Sequence, residues 1–187
     1  MAEEDEAIIL RKTWSAAEQK EKGDLSAART LLEEVIDDAR RLLGDESPFT
    51  LVATRNLSEV LREQGDLRGA RKLLEGALAA CQRTLSRENE VTLAAMGSLA
   101  TVLRDQGDLI GARKLQEDVV AIYQRTRGDQ DHMLLTSMDD LAETLMLQRE
   151  LQRARELREE VVEGRRRALG TEHPEILKAI LNLAAIL

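Results

Sequence analysis

The chain has 187 residues, of which only Trp14, Phe49 and Tyr123 are aromatic, and Leu, Ala, Arg and Glu dominate its composition. Such a composition favours helix over sheet. A formal net charge of −8 without a one-sided basic block excludes the clustered Lys and Arg that a phosphate-binding surface needs. We therefore predict an all-α protein that does not bind nucleic acid.

The first residues and the cysteine count bear on location. Residues 1–7, MAEEDEA, are acidic where a secretory signal is basic, and no apolar run approaches the roughly 18 residues of a membrane span. Cys81 is the single cysteine, so an internal disulfide cannot form, which fits a reducing compartment. We expect a cytoplasmic protein that does not enter a membrane.

One segment recurs along the chain at a spacing of 42 residues. LREQGDLRGARKLLEGAL at 61–78 returns as LRDQGDLIGARKLQEDVV at 103–120 and, more loosely, as QKEKGDLSAARTLLEEVI at 19–36. Repeat arrays of this kind grow by stacking. We predict a single domain made of units at about 7–48, 49–90, 91–132 and 133–174, with a lone terminal helix at 175–187.

The first helix departs from the repeat in the placement of its apolar residues. Their spacing gives a stripe of Ala7, Leu10, Trp14 and Ala17, whereas the repeat spacing puts Arg11, Ser15 and Gln19 at core positions. We predict a helix that is rotated or slipped, as a cap is, with Trp14 packed in its core. The alternative is an exposed Trp14 that anchors a partner, because its register matches that of Asn56.

The second unit shows the helix pair most clearly. Residues 49–64, helix A, carry apolar residues at the spacing of an amphipathic helix: Ala53, Leu57, Val60 and Leu61. Gly65 suits the left-handed residue that ends a helix, and Asp66 can accept from the free amides that open the next one. Helix B runs from about Leu67 to Leu85, and its predicted inner face comprises Ala70, Leu73, Leu74, Ala77 and Leu78.

The other turns follow the same plan with local changes. Glycines are expected to end helices B at Gly44, Gly128 and Gly170, and prolines to fit the first turn of helices A at Pro48 and Pro174. Ser47, Asn89 and Asp131 are preferred N-cap residues. Arg149-Glu150 replaces Gly-Asp in the fourth unit, so this turn is either a soft spot or a different kind of turn.

The last segment, 176–187, is apolar nearly all round. An exposed helix of this kind marks an interface. It indicates either a longer array or a surface that a second copy of the chain covers. The candidates for self-association are Ile180, Leu183, Ile186 and Leu187.

The helix pair and its loops resemble the tetratricopeptide repeat, in the long form found in kinesin light chains. Residues 169–174, LGTEHP, match the loop of that form, Gly65-Asp66 matches its turn, and Asn56-Leu57 and Asn182-Leu183-Ala184 match its helix A. The resemblance covers essentially the whole chain. It implies a right-handed α-solenoid whose first helices line a concave groove that receives an extended peptide or protein segment.

The face of helix A opposite the core would line that groove. Its candidate peptide-binding residues are Arg55, Asn56, Glu59, Arg62, Ser98, Thr101, Arg104, Asp139, Asp140 and Glu143. Asparagine suits this role because one amide both donates to and accepts from a peptide backbone. The family's asparagine position falls on Asn56, Ser98, Asp140 and Asn182. The alternative is a solvated helix face held by pairs such as Arg55 with Glu59.

Catalytic and metal-binding patterns are weak. His132 and His173 are not in equivalent positions, and neither has a Cys or His at metal-ligand spacing. We expect no metal, no cofactor and no enzymatic activity, and predict a non-catalytic protein-interaction scaffold. The alternative function is a regulatory or oligomerisation segment of a larger signalling ATPase, self-associating through the apolar terminal helix as a homo-oligomer.

Overall fold

The structure, a computed structural model, describes residues 2–170 and 173–186. Within those residues the chain forms helices and turns only, which confirms the predicted all-α class. The helices are α1 (Ala2–Glu21), α2 (Leu25–Leu43), α3 (Pro48–Glu63), α4 (Leu67–Thr84), α5 (Glu90–Asp105), α6 (Leu109–Thr126), α7 (His132–Leu147), α8 (Leu151–Leu169) and α9 (Pro174–Ala184). Over the described residues, none of them combines the length and apolar character needed to span a bilayer.

The chain divides into two compact units, Met1–Val102 and Leu103–Leu187. In the first unit α1 packs on α2, α2 on α3 and α3 on α4. In the second unit α6 packs on α7, α7 on α8 and α8 on α9. The odd-numbered helices are the predicted helices A and the even-numbered ones are the helices B. That all repeats form one domain stays a prediction.

The turn inside each helix pair has the predicted capping. Gly23, Gly65 and Gly107 have φ angles of 82°, 83° and 84°, the left-handed region that glycine enters without steric cost. The aspartate after each glycine accepts a hydrogen bond of 2.9 Å from the backbone N–H three residues on: Asp24 from Ala27, Asp66 from Gly69 and Asp108 from Gly111. Each turn therefore ends one helix and caps the next.

The fourth turn keeps this geometry without the glycine. Arg149 has a φ of 67°, and its N–H donates to Met146 O at 3.0 Å, as that of Gly107 donates to Arg104 O at 2.9 Å. Glu150 makes no side-chain cap hydrogen bond. The turn is therefore unchanged in form and strained, because a side chain in the left-handed region costs roughly 1–2 kcal/mol.

In the turns that join one helix pair to the next, one of the three glycines predicted to end a helix does not do so. Gly44 and Gly170 end α2 and α8 with φ angles of 89° and 80° and ψ of 164°, a region that is essentially glycine-only. The prediction for Gly128 is wrong. Helix α6 ends at Thr126, and its C-cap is Arg127, whose φ of −125° is extended backbone. Because the chain leaves this helix in an extended conformation, no left-handed residue is needed.

The helix starts are largely as predicted. Pro48 and Pro174 occupy the first turn of α3 and α9. Asn89 Oδ1 accepts from Val91 N at 2.9 Å, and Asp131 Oδ1 accepts from Met133 N at 2.9 Å. Ser47 is the N-cap residue of α3, but its side chain makes no cap hydrogen bond.

The predicted core of the second repeat is buried. On α3 the buried residues include Ala53, Leu57, Val60 and Leu61, and on α4 they include Ala70, Leu74 and Ala77, while Leu73 and Leu78 are half-buried. A tightly packed group of Leu51, Ala77, Ala80 and Cys81 joins the two helices. The small side chains of α4 let α3 approach closely.

The prediction for α1 is wrong. The predicted stripe of Ala7, Leu10, Trp14 and Ala17 is exposed, and Trp14 is 78% accessible to solvent. Ile9 and Ala16 are buried instead, and the 42-residue spacing makes them equivalent to the buried Leu51 and Ser58 of α3. Helix α1 therefore keeps the repeat register. Spacing within one helix identifies an apolar stripe, but only the neighbouring helices show whether it is covered.

The strained turn gives a stability prediction. We expect Arg149→Gly to raise the free energy of unfolding by about 1 kcal/mol, because glycine adopts the positive φ without strain. The midpoint of urea unfolding, followed by circular dichroism, measures the change. Gly65→Arg makes the reverse change at the equivalent turn and should destabilise by a similar amount. An Arg149→Gly variant no more stable than wild type would contradict the interpretation.

Candidate functional site on the first helices

The exposed side of α3 carries a connected set of polar side chains. Arg55 donates from Nη1 to Glu59 Oε1 at 2.9 Å and from Nη2 to Asn56 Oδ1 at 3.1 Å. Arg62 lies one turn further along, and all four side chains are half-buried. We call Arg55, Asn56, Glu59 and Arg62 the α3 face. It presents an amide between two charges of opposite sign.

A cleft lies between α1 and this face. It has a volume of about 360 Å³ and is lined by Thr13, Ala16, Ala17, Lys20, Glu21, Leu32, Asn56, Glu59, Val60 and Glu63. Lys20 bridges its mouth, with Nζ 3.2 Å from Glu59 and 3.0 Å from Glu63. The α3 face therefore borders a concave site with apolar walls and charged edges.

Ser98 and Thr101, on the part of α5 that belongs to the first unit, contribute less. Both side chains are half-buried. Thr101 Oγ1 donates to Gly97 O of its own helix at 3.2 Å, which uses its donor. Six of the ten predicted groove residues thus lie in the first unit, and among these six only Asn56 has an amide side chain.

Arg104 and Glu143, in the second unit, bind each other. Arg104 Nη1 lies 2.9 Å from Glu143 Oε2, and the arginine side chain is only 11% exposed. Their pairing connects the end of α5 to α7. The Arg104 side chain is therefore largely covered by its neighbours, and it is less available to a ligand than that of Arg55.

Asp140 is a half-buried acid at the family's asparagine position. Burial raises the pKa of its carboxyl from 3.8 to about 6, with the charge of Arg104 opposing the shift and those of Glu143 and Asp139 adding to it. Its backbone oxygen accepts from Gln116 Nε2 of α6 at 3.1 Å.

Asp139 is the centre of a buried charged network. Its carboxylate lies 3.3 Å from Arg158 Nε, 3.7 Å from Arg165 Nη1 and 2.9 Å from Asn182 Nδ2. Arg158 also donates to the backbone oxygen of Asn182. Arg158 and Arg165 are 7% and 8% exposed. Asp139 therefore serves as the counter-ion of two buried arginines, which leaves little of it for a ligand.

Three buried polar residues in or beside this network were not singled out from the sequence: Gln116, Arg158 and Arg165. The 42-residue spacing places Arg158 in a series with Leu32, Leu74 and Gln116, and Arg165 in one with Ala39, Cys81 and Tyr123. All of these side chains are buried. At these core positions the side chains change from apolar in the first unit to polar in the second unit. The change is visible in the sequence only when equivalent positions of different repeats are compared, and a motif search within one repeat does not show it.

Polar atoms of this network remain without hydrogen bonds. They are Gln116 Oε1, Asp139 Oδ1, Arg158 Nε and Arg165 Nη1, counting partners among the described residues. Buried ionic groups cost desolvation energy that their mutual attraction repays only in part. The core of the second unit therefore contains charged groups beside its apolar packing, and these groups carry a desolvation cost.

The histidines and the cysteine have structural surroundings. His173 is the N-cap of α9, with Nδ1 3.3 Å from Glu175 N, and His132 is the first residue of α7. Burial raises the pKa of the Cys81 thiol, which disfavours the reactive thiolate. In the part of the chain that the structure describes, no three His, Cys, Asp or Glu residues are grouped to hold a metal ion.

Sequence comparison agrees with this architecture. Two sequence models described as the tetratricopeptide repeat match the chain, one at residues 5–83, 53–125 and 91–149, and the other at 134–175. The chain belongs to the tetratricopeptide repeat family. No curated protein sequence matches it.

Solved structures narrow the type of repeat. The nearly identical TPR-like repeats of a kinesin light chain described from Podosopora anserina match with a TM-score of 0.82 and 29% identity, covering 95% of this chain and 84% of that one. A variant of those same repeats with one substitution matches with a TM-score of 0.83 and 30% identity over the same shares of the two chains. BtubC (BKLC) from P. vanneervenii matches in fold, with a TM-score of 0.83, 18% identity and coverage of 96% and 72%. The predicted kinesin-light-chain-like repeat and the helix-pair solenoid fold are thereby confirmed.

Asp140 gives a prediction that depends on pH. Its folded-state pKa of about 6 exceeds the unfolded value of 3.8, so its charge destabilises the fold progressively as pH rises from about 4 to about 6. We expect Asp140→Asn to stabilise the protein at pH 7.5 by on the order of 2 kcal/mol and to have little effect at pH 4. Urea unfolding at both pH values measures this, and an equal effect at both would contradict it.

Asp139 gives the opposite prediction. Asp139→Asn should destabilise the protein by about 3 kcal/mol at pH 7.5, because it leaves Arg158 and Arg165 buried without their counter-ion. The same unfolding measurement tests it, and Asp140→Asn is its control at the adjacent position. A variant as stable as wild type would show that the two arginines find their stabilisation elsewhere.

Proposed function

We propose that the protein is a non-catalytic scaffold that binds an extended peptide or protein segment on the exposed faces of its first helices. Tetratricopeptide repeats mediate protein–protein interactions, and this chain carries them from residue 5 to residue 175. The observation that carries the proposal is the α3 face with its adjoining cleft, where Asn56 stands beside Arg55 and Glu59.

The chemistry of the α3 face suits a backbone ligand. An amide side chain can hold the N–H and C=O groups of a peptide whatever its sequence. The cleft adds apolar walls at Ala16, Ala17 and Leu32 for one or two side chains. Because its edges carry both Lys20 and Glu63, the ligand that fits best has charges of both signs and is not purely acidic.

The first unit is the stronger candidate for recognition. In the second unit, Arg104 is committed to Glu143 and Asp139 to Arg158 and Arg165. On α3, Arg55 is half-exposed and pairs with Glu59 of its own helix. Pairs of this kind are worth only about 0.2–0.5 kcal/mol, so a ligand can displace them.

A binding experiment with a matched control tests this proposal. Peptides are selected against the protein from a random library displayed on phage, and their affinities are measured by fluorescence polarisation. The double variant Arg55→Glu, Asn56→Ala should weaken binding at least about tenfold, equivalent to roughly 1.4 kcal/mol. Circular dichroism should show unchanged helicity, because both side chains lie outside the core.

Arg71 of α4 supplies the control. It pairs with Glu75 at 2.7 Å, with the same four-residue spacing that Arg55 has to Glu59. Arg71→Glu therefore makes the same charge reversal on a helix B and should leave binding unchanged. Equal losses from the α3 double variant and from Arg71→Glu would contradict the assignment of the α3 face.

A second candidate function is self-association through α9. Leu177 and Leu181 are 66% and 70% exposed on this helix, and exposed apolar helix faces mark interfaces. Of the predicted residues, Ile180 is exposed, Leu183 and Ile186 are half-buried, and Leu187 lies outside the described residues. Light scattering over a range of concentrations tests it, since a constant monomer mass would contradict self-association.

A cytoplasmic location forms part of the proposal. Cys81 is free and buried, a state that a reducing compartment maintains. Partial oxidation of this thiol in protein isolated under non-reducing conditions would argue against that location.

A further inference from the structure

A second groove lies on the far side of α3 from the α3 face. It runs between α2 and α4 with α3 as its floor, and its volume is about 820 Å³. Leu57 and Leu61 of α3 line this floor. At about 100° per residue, Leu57 lies on the side of the helix opposite Arg55 and Glu59. The groove and the α3 face therefore use different residues of one helix.

Gly76 keeps this groove open. It is an exposed residue in the interior of α4, it lines the groove, and a Cβ atom added to it would meet nothing within 4 Å. Glycine destabilises a helix interior relative to alanine. Gly69 of the same helix has a structural reason, because an added Cβ atom would meet Asp66 there. The packing of the described residues gives no such reason for Gly76.

The other repeats carry an acid at the position of Gly76. The 42-residue spacing makes it equivalent to Glu34, Asp118 and Glu160. In the second unit, Glu160 lines the equivalent groove between α6 and α8, which has a volume of about 440 Å³. The groove with glycine is thus the larger of the two. The first unit keeps open a passage that the second unit fills with a carboxylate side chain.

The two walls of the groove between α2 and α4 present opposite charges. Asp37 on α2 and Lys72 on α4 line it and are exposed, and among the residues that the structure describes neither forms an ion pair. The arginines of the walls are held by acids: Arg29 by Glu33 at 2.8 Å, Arg40 by Asp45 at 3.0 Å and Arg83 by Glu46 at 2.9 Å. Asp66 is the cap of α4. Asp37 and Lys72 are therefore the charges that a ligand meets.

The positions of Asp37 and Lys72 fit an extended ligand and not a helical one. Short turns join α2 to α3 and α3 to α4, so α2 and α4 run parallel. The 42-residue spacing makes Asp37 level with Ala79, seven residues beyond Lys72, which is about 10.5 Å along the groove. An extended chain covers this distance in about three residues, and an odd separation points the two side chains to opposite walls. A helix covers it in about seven residues, which puts both side chains on one face.

We propose that the groove between α2 and α4 binds an extended segment of a partner protein, in which an acidic and a basic residue stand three positions apart. The acidic side chain pairs with Lys72 and the basic one pairs with Asp37. The proposal goes beyond the α3 face, because it gives the scaffold a second binding surface. Two segments are then bound on opposite sides of α3.

Gly76 supplies the contact between the two charges. It lies four residues after Lys72 and three before Ala79, so the bound segment passes it midway. Exposed ion pairs contribute little by themselves, so the segment also requires close contact with the groove. A carboxylate at this position, as in the other repeats, would fill the passage and would pair with Lys72 at the four-residue spacing.

Selected peptides test the proposal with the full chain. Peptides are selected from a random phage library on the Arg55→Glu, Asn56→Ala variant, which removes the α3 face and leaves this groove intact. We expect them to carry an acidic and a basic residue three positions apart, and to bind wild type with the same affinity by fluorescence polarisation. Peptides whose apolar residues recur every three or four positions would indicate a bound helix and overturn the proposal.

The variant Gly76→Glu tests the groove itself. It should weaken binding of the selected peptides at least about tenfold, because the new carboxylate fills the passage and pairs with Lys72. Helicity by circular dichroism should be unchanged, since three other repeats carry an acid at this position. Gln82→Glu is the control, because it adds the same charge to an exposed position of α4 outside the groove, and it should leave binding unchanged. Equal affinities for wild type and Gly76→Glu, or equal losses from both variants, overturn the proposal.

A double-mutant cycle tests the contact at Lys72. Lys72→Gln and replacement of the peptide's acidic residue by glutamine should each weaken binding, and the two changes together should weaken it little more than either alone. Independent losses would show that the two charges do not meet, and they would overturn the assignment.

Light scattering separates this proposal from its alternatives. If wild type associates and Gly76→Glu does not, a second copy of the chain fills the groove and the proposal is overturned. Unchanged mass in Gly76→Glu, together with lost peptide binding, supports it. The proposed function fails or holds separately, because its test changes Arg55 and Asn56 on the other side of α3.

Discussion

Apolar packing between the two helices of each pair is the interaction on which the rest of the structure depends. Leu51 of α3 packs with Ala77, Ala80 and Cys81 of α4, and Ala70 and Leu74 of α4 are fully buried. A single amphipathic helix is marginal in water, so each helix requires this contact. Once it forms, the opposite face of helix A is turned outward, and its polar side chains lie away from the core.

The two units use different side chains to fill the core between their paired helices. Leu74 in the first unit is replaced by Arg158 in the second, and Cys81 by Arg165. Two buried arginines require a counter-ion, and Asp139 of α7 provides it. The first unit has an apolar core that draws no counter-ion from its outer face. This difference in core chemistry explains why the charged side chains of the α3 face are not drawn into the core, whereas Asp139 is.

Local features were predictable because local energies decide them. The three Gly-Asp turns, the caps at Asn89 and Asp131 and the prolines that open α3 and α9 all depend on residues within one turn of each other. The position of α1 was not predictable in this way. In the sequence, the apolar stripe that contains Trp14 is as good an amphipathic pattern as the one that contains Ile9. Only the contacts of α1 with α2 and α3 decide that the stripe with Ile9 is buried.

The sequence by itself determined the repeat length, the helix pairs and most of the residues that fill their core, because backbone hydrogen bonding and side-chain periodicity act over a few residues. Tertiary structure decided which of the polar residues on these helices are held in ion pairs and which are desolvated. Asp139 and Asp140 are adjacent and equally acidic in the sequence, yet the first is held by Arg158 and Arg165 and burial raises the pKa of the second. Charges interact through space with helices that folding brings together, and burial sets the strength of that interaction.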